Sequence, residues 1–128
     1  METAVEKLTA LFFLVTGLSH IVQPRAWVRF FILLREKGEA GSFLNALIHF
    51  PLGAFIVASH NIWHGFPAIL VTVIGWGLTI KGAIYFLFPR HGLKMLGTIS
   101  MERAWQFVVA GIFSVLLGGV IYYPLLWL

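Results

Sequence analysis

Four long apolar segments, Val5 to Val22, Ser42 to Ser59, Phe66 to Phe88 and Ala104 to Trp127, constrain this chain more than any other feature. At 1.5 Å of rise per helical residue, each is long enough, or nearly so, to cross a hydrocarbon layer of about 30 Å. Of the 128 residues, 59% are hydrophobic, and the mean hydropathy is +0.91. A soluble domain of this length could not bury that much apolar surface around one core. The segments are also too continuous for the alternating pattern of an outer-membrane barrel. The expected fold is therefore all-α and polytopic, a single four-helix bundle whose solvent is the bilayer.

Charge orients the expected bundle. Arg25, Arg29, Arg35 and Lys37 lie between the first and second segments, and Arg90, Lys94 and Arg103 between the third and fourth. The connection from Asn61 to Pro67 and everything after Arg103 carry no charge. The positive-inside rule then puts both basic loops in the cytoplasm of a bacterial inner membrane and both termini outside. Arg25, Arg29, Arg90 and Lys94 are expected to meet anionic lipid headgroups, so the net charge of +4 does not point to nucleic acid. The first segment lacks a basic leader and a small-residue cleavage site, and reads as a retained helix. The chain has no cysteine, which excludes disulfides and thiolate metal sites.

An ungapped overlay at an offset of 65 pairs Gly17 with Gly82, Pro24 with Pro89, Arg25 with Arg90, Leu52 with Leu117, Gly53 with Gly118 and Ile56 with Ile121. Helix end, proline, basic loop and the glycine of the returning helix coincide without a gap. This predicts two tandem helical hairpins, residues 1–60 and 66–128, related by a pseudo-twofold axis along the membrane normal. Pro24 suits the opening turn of a new helix. Trp27, Phe30, Phe31 and Leu34 recur at helical spacing, so Pro24 to Lys37 reads as an amphipathic helix in the cytoplasmic interface. Pro89 to Ser100, interrupted by Gly92 and Gly97, should be less regular. Trp63, Phe66, Tyr122, Tyr123 and Trp127 mark the opposite aromatic belt.

Polar groups inside a membrane need partners or a cavity. Thr9, Thr16, His20 and Gln23 share one face of the first helix; Ser42, Asn45 and His49 one face of the second; Lys81 and Tyr85 stack on the third; Glu102, Gln106 and Ser114 align on the fourth. Facing one another, these stripes would form a polar cleft open to the cytoplasm, with His20, Asn45, His49, Lys81, Tyr85, Glu102 and Gln106 as candidate ligand contacts. The structural alternatives are that Lys81 snorkels to the headgroups or pairs with Glu102, and that His49 caps the carbonyl of Leu47 freed by Pro51. Asn45 and Gln106 also serve as interhelical glue elsewhere. His60 and His64 have the i, i+4 spacing of a metal pair, but two ligands are too few and no carboxylate is near in sequence, so an interfacial loop is expected and no metal. Haem between His20 and His49 finds no further signature, and no cofactor is assigned.

Glycines supply the packing signal. Ala110, Ser114 and Gly118 form a small-xxx-small ridge on the fourth helix, Gly111 and Gly119 a second, and Gly75 with Thr79 another on the third.

The close of the first helix in Gly17-Leu18-Ser19-His20, followed by the proline-led loop at Pro24, resembles the small four-helix bacterial inner-membrane proteins grouped as DoxX-like. The resemblance implies a possible association with membrane redox complexes and supplies no catalytic motif. The lack of a mid-helix acidic residue argues against small multidrug antiporters, and the strong loop bias against dual-topology fluoride channels. Three function classes stand. The first is an accessory or oligomer-forming subunit of a membrane assembly, whose partners are lipids and a second copy or another membrane protein. The second is a transporter or binding protein whose cleft takes a small polar or anionic ligand. The third is a membrane enzyme acting on a lipid-like substrate, for which His20, His49 and Glu102 are the only acid-base candidates. The accessory role is slightly favoured, because each polar residue has a structural explanation.

Overall fold

The computed structural model of the protein describes residues 2–127, and these form helices and turns without a strand. The helices are α1 (Glu2–Val22), α2 (Pro24–Glu36), α3 (Glu39–Ser59), α4 (Ala68–Leu87), α5 (Pro89–Leu96) and α6 (Trp105–Leu125), with a short 3-10 turn at Met101–Arg103 leading into α6. Four of them, α1, α3, α4 and α6 with its 3-10 turn, are long and apolar enough to cross a membrane, which makes the chain a multi-pass membrane protein in form.

Local chemistry sets the breaks between helices. Pro24 and Pro89 open α2 and α5, where a missing N–H costs nothing because the first turn has no acceptor for it. At the end of α2 the Lys37 and Gly38 amides donate to Leu34 O and Arg35 O, both at 3.1 Å. Gly38 then adopts φ of +66°, a left-handed conformation that glycine enters without steric cost, and the chain turns into α3.

The long helices form two tight pairs, α1 along α6 and α3 along α4. Glycines set both contacts. A methyl group on Gly17 would sit 2.7 Å from the carbonyl oxygen of Gly111, and one on Gly111 2.6 Å from that of Gly17. In the other pair, Gly53 lies against the backbone of Thr79 and Gly82 against that of Phe50. Backbone approach this close maximises dispersion contact between helices that lipid does not otherwise drive together.

This pairing differs from the expected hairpins. α1 meets α3 only sparsely, and no comparable interface joins α4 to α6 among the described residues. The physical reason is the helix between them, α2. The 13 residues of α2 extend about 20 Å at helical rise and carry the chain away from α1 before α3 begins. Each first span therefore packs on the second span of the other half.

The two pairs meet at one end and splay at the other. Val5 and Ala10 of α1, Ile56 of α3, Val71 of α4, and Ile121 and Leu125 of α6 form a buried core at the joined end. At the splayed end, Leu34 of α2 and Leu96 of α5 are buried with Ala46 and Tyr85. The apolar face of α2 thus packs over one side of this end, with Trp27 and Phe31 turned toward His20 and Phe107. Only Phe30 and Leu33 of that helix remain as exposed large apolar side chains. Arg35 fastens this cap, donating to the carbonyl of Ile99 at 2.9 Å and reaching those of Leu96 and Gly97 at 3.5 Å.

Candidate functional site

The splayed end leaves a cavity of about 320 Å³ lined by His20, Phe31, Asn45, His49, Lys81, Tyr85, Leu96, Ile99, Gln106, Phe107 and Ala110. A second chamber of about 410 Å³ shares His20, Phe31, His49, Lys81 and Ala110, and extends toward the bundle centre past Phe12, Phe13, Thr16, Leu52, Leu78 and Ser114. One end of the combined space is polar and the other is apolar.

Helix spacing brings the polar groups together. Asn45 and His49 are one turn apart on α3, Lys81 and Tyr85 one turn apart on α4, and His20 closes α1 opposite Gln106 near the start of α6. Ser42 pins α3 to α4, donating from Oγ to the carbonyl of Tyr85 at 2.9 Å. Each imidazole is held by its own helix: His20 Nδ1 donates to Thr16 O at 2.7 Å and His49 Nδ1 to Asn45 O at 2.9 Å. Because a carbonyl only accepts, both rings carry their proton on Nδ1 when neutral, which leaves Nε2 free to engage a ligand. His49 does not cap Leu47, because the carbonyl one turn back at Asn45 is in reach of its ring.

Lys81 forms no ion pair among the described residues, where the one pair is His60 with Glu6. Its expected partner Glu102 is exposed on the 3-10 turn and does not line the cavity. The first turn of α6 begins only at Trp105, so the spacing that aligned Glu102 with Gln106 as one helical stripe fails there. Asn45 Oδ1 is the one fully buried side-chain polar atom without a hydrogen-bond partner among the described residues. Such an atom costs about 1–3 kcal/mol unless something else pairs with it.

An aromatic wall completes the chamber. The His20 ring lies between Trp27, with centroids 4.3 Å apart, and Phe107, at 5.6 Å, both nearly parallel to it. Trp27 Nε1 donates to Ser19 Oγ at 2.9 Å, which fixes the indole over the imidazole. The cavity can therefore bind an anionic head at the Lys81 ammonium, a donor group of the same ligand at His49 Nε2 or Asn45 Oδ1, and an apolar body against Phe12, Phe13, Leu52 and Leu78.

The remaining candidates sort simply. Arg25, Arg29, Arg90 and Lys94 are exposed, away from the cavity. Thr9 and Ser114 donate to the backbone carbonyls of Val5 and Phe13, and so act as packing groups. Trp76 faces outward and donates to Asn61 Oδ1 at 3.2 Å. His60 is not in an exposed interfacial loop: it is fully buried, 2.7 Å from Glu6 Oε2 on α1. That pairing spans 54 positions, and no local spacing announces it. No family model, curated protein or solved structure matches this chain.

Proposed function

We propose that the protein is an intramembrane binding protein for an amphipathic anion, carrying the ligand head at Lys81 and the apolar body in the adjoining chamber. The observation that carries this reading is the convergence of Lys81, His49, His20, Asn45, Tyr85 and Gln106, drawn from four helices, on one cavity that has no carboxylate in its lining. A cation without a counter-charge on a membrane-spanning helix is expensive, and an anionic ligand relieves that cost. Transport across the membrane would need an opening at the joined end, where the core of Val5, Ile56, Val71 and Ile121 is closed; binding alone needs none.

Several finer features belong to the same reading. The cavity opens toward the end that carries α2 and α5, which the positive-inside rule assigns to the cytoplasm of an inner membrane, with both termini outside. Internal duplication is supported by contacts that repeat at the offset of 65: Gly17 against Val115 corresponds to Gly82 against Phe50, and Gly118 against Leu14 to Gly53 against Thr79. Thr16 and Lys81, and likewise His20 and Tyr85, are then equivalent positions filled differently, giving an asymmetric site on a twofold frame. The DoxX-like resemblance at Gly17-Leu18-Ser19-His20 agrees with a four-span inner-membrane protein. A second reading, assembly with another copy or a membrane partner, is favoured by Gly77 and Gly119, which face outward with nothing within 4 Å of an added methyl group.

The test uses a bromine-labelled long-chain carboxylate and the protein in lipid nanodiscs, read by quenching of tryptophan fluorescence. Saturable quenching is expected in the native protein. Lys81→Met removes a charge-assisted hydrogen bond of about 1.5–3 kcal/mol, so binding weakens by about tenfold or more. Equal affinity for Lys81→Met, or for the corresponding brominated alcohol on the native protein, contradicts the proposal.

A further inference from the structure

At the joined end of the bundle, far from the cavity, lies a second set of chemistry-bearing groups. Glu2 and Glu6 stand one turn apart on α1, and their carboxylate oxygens and a ring nitrogen of His60, at the end of α3, all lie within 4.8 Å of one another. Glu6 and His60 are buried, at 3% and 0% exposure, whereas Glu2 is exposed. A cavity of about 360 Å³ reaches this end; Glu2, Glu6 and His64 line it together.

The orientation of His60 is set from outside the cluster. Thr72 Oγ1 accepts from the Ile62 amide at 3.0 Å and lies 2.8 Å from Ile62 O and 3.0 Å from His60 O. Its single proton goes to one of those carbonyls. Toward His60 Nδ1, at 3.2 Å, it can then only accept, so Nδ1 carries the ring proton. A hydrogen bond that fixes the far nitrogen of an imidazole is the usual support of a metal-ligating histidine. The Nε2 lone pair of the neutral ring is thereby aimed at the Glu6 carboxylate, 2.7 Å away. Two acceptors facing each other at this distance require a positive species between or beside them. A proton satisfies the pair but leaves two carboxylates against one imidazolium, a net charge of −1. A divalent ion with a neutral imidazole brings the same three groups to zero, which is favoured where Glu6 has little contact with solvent.

We propose that Glu2, Glu6 and His60 bind a first-row divalent transition-metal ion such as Zn²⁺, with His64 or water at the fourth position. One imidazole nitrogen and two carboxylates suit this class of ion, and ligand distances of about 2.0–2.2 Å need only a small separation of His60 from Glu6. The site exists in one half of the chain alone, since position 125, which the offset of 65 aligns with His60, is leucine. It is independent of ligand binding at Lys81.

The experiment titrates chelator-stripped protein in nanodiscs with Co²⁺, read by its visible absorption, then displaces it with Zn²⁺. The native protein is expected to take up one equivalent, and Zn²⁺ to raise its unfolding temperature. Glu2→Gln alters an exposed side chain and keeps the Glu6–His60 contact, so it folds; it should weaken binding at least tenfold and abolish the Zn²⁺ shift. His60→Gln should bind no stoichiometric metal. Less than one equivalent in the native protein, or native affinity in Glu2→Gln, overturns the proposal and leaves Glu6 and His60 as a buried hydrogen-bonded pair.

Discussion

Replacing Gly111 by alanine tests whether the glycine ridges serve the bundle or an external partner. The added methyl group would lie 2.6 Å from the carbonyl oxygen of Gly17, 2.8 Å from His20 Cβ and 2.9 Å from Ile21 Cγ1. The first neighbour is backbone and cannot rotate aside, so α1 must move off α6. Overpacking of this kind costs about 1–3 kcal/mol, and the upper half of that range applies because no side-chain torsion relieves it. Alanine regains up to about 1 kcal/mol of helix propensity, which leaves a net loss of about 1–2 kcal/mol. Gly119→Ala is the matched control. Nothing lies within 4 Å of its methyl group, so it should be neutral or slightly stabilising. Equilibrium unfolding in mixed micelles, followed by circular dichroism, measures both. Gly119→Ala destabilising the protein as much as Gly111→Ala would refute the assignment of the inner ridge to the α1–α6 contact and return it to a partner protein.

Other substitutions probe other joints. Thr72→Val removes the hydroxyl that accepts from the Ile62 amide and orients His60; a loss of about 1–3 kcal/mol is expected in the same unfolding assay. Arg35→Ala frees α2 from the carbonyls of Leu96, Gly97 and Ile99, and hydrogen exchange should quicken across residues 24–36 while the α1–α6 contact stays protected. Glu102→Gln should leave binding of the brominated carboxylate unchanged, since Glu102 does not line the cavity; a clear loss of affinity would place Glu102 against the ligand after all.

Period and depth made much of the candidate site legible in the sequence. Asn45 with His49, and Lys81 with Tyr85, fall one turn apart on apolar helices, and any bundle that turns those faces inward brings them together. Glu102 failed for a local reason: a 3-10 turn precedes α6, and helical phase does not extend through it. Trp27, Phe30 and Phe31 recur at helical spacing, yet the helix turns Trp27 and Phe31 onto His20 and Phe107 and leaves Phe30 outside. Periodicity gives the apolar face of α2 but not whether lipid or protein covers it. Helix pairing was equally hidden, because consecutive spans look like neighbours until the length of α2 separates them. The Glu6–His60 contact crosses between the two tight pairs. It joins the start of α1 to the end of α3, and neither residue has a polar neighbour at helical spacing that signals the other.

The central claim is that His49 and Lys81 face a space open to water and to anions from the end that carries α2 and α5. The cysteine-free chain allows a direct measurement, since a single introduced thiol is the only one present. His49→Cys and Leu47→Cys place thiols at nearly the same depth on α3, the first in the cavity and the second on an outward face at 56% exposure. A membrane-impermeant anionic thiosulfonate should modify His49→Cys when added on the α2 and α5 side, should fail from the opposite side, and should leave Leu47→Cys untouched in lipid. Equal inertness of both thiols, or modification of His49→Cys from the opposite side alone, would contradict the account.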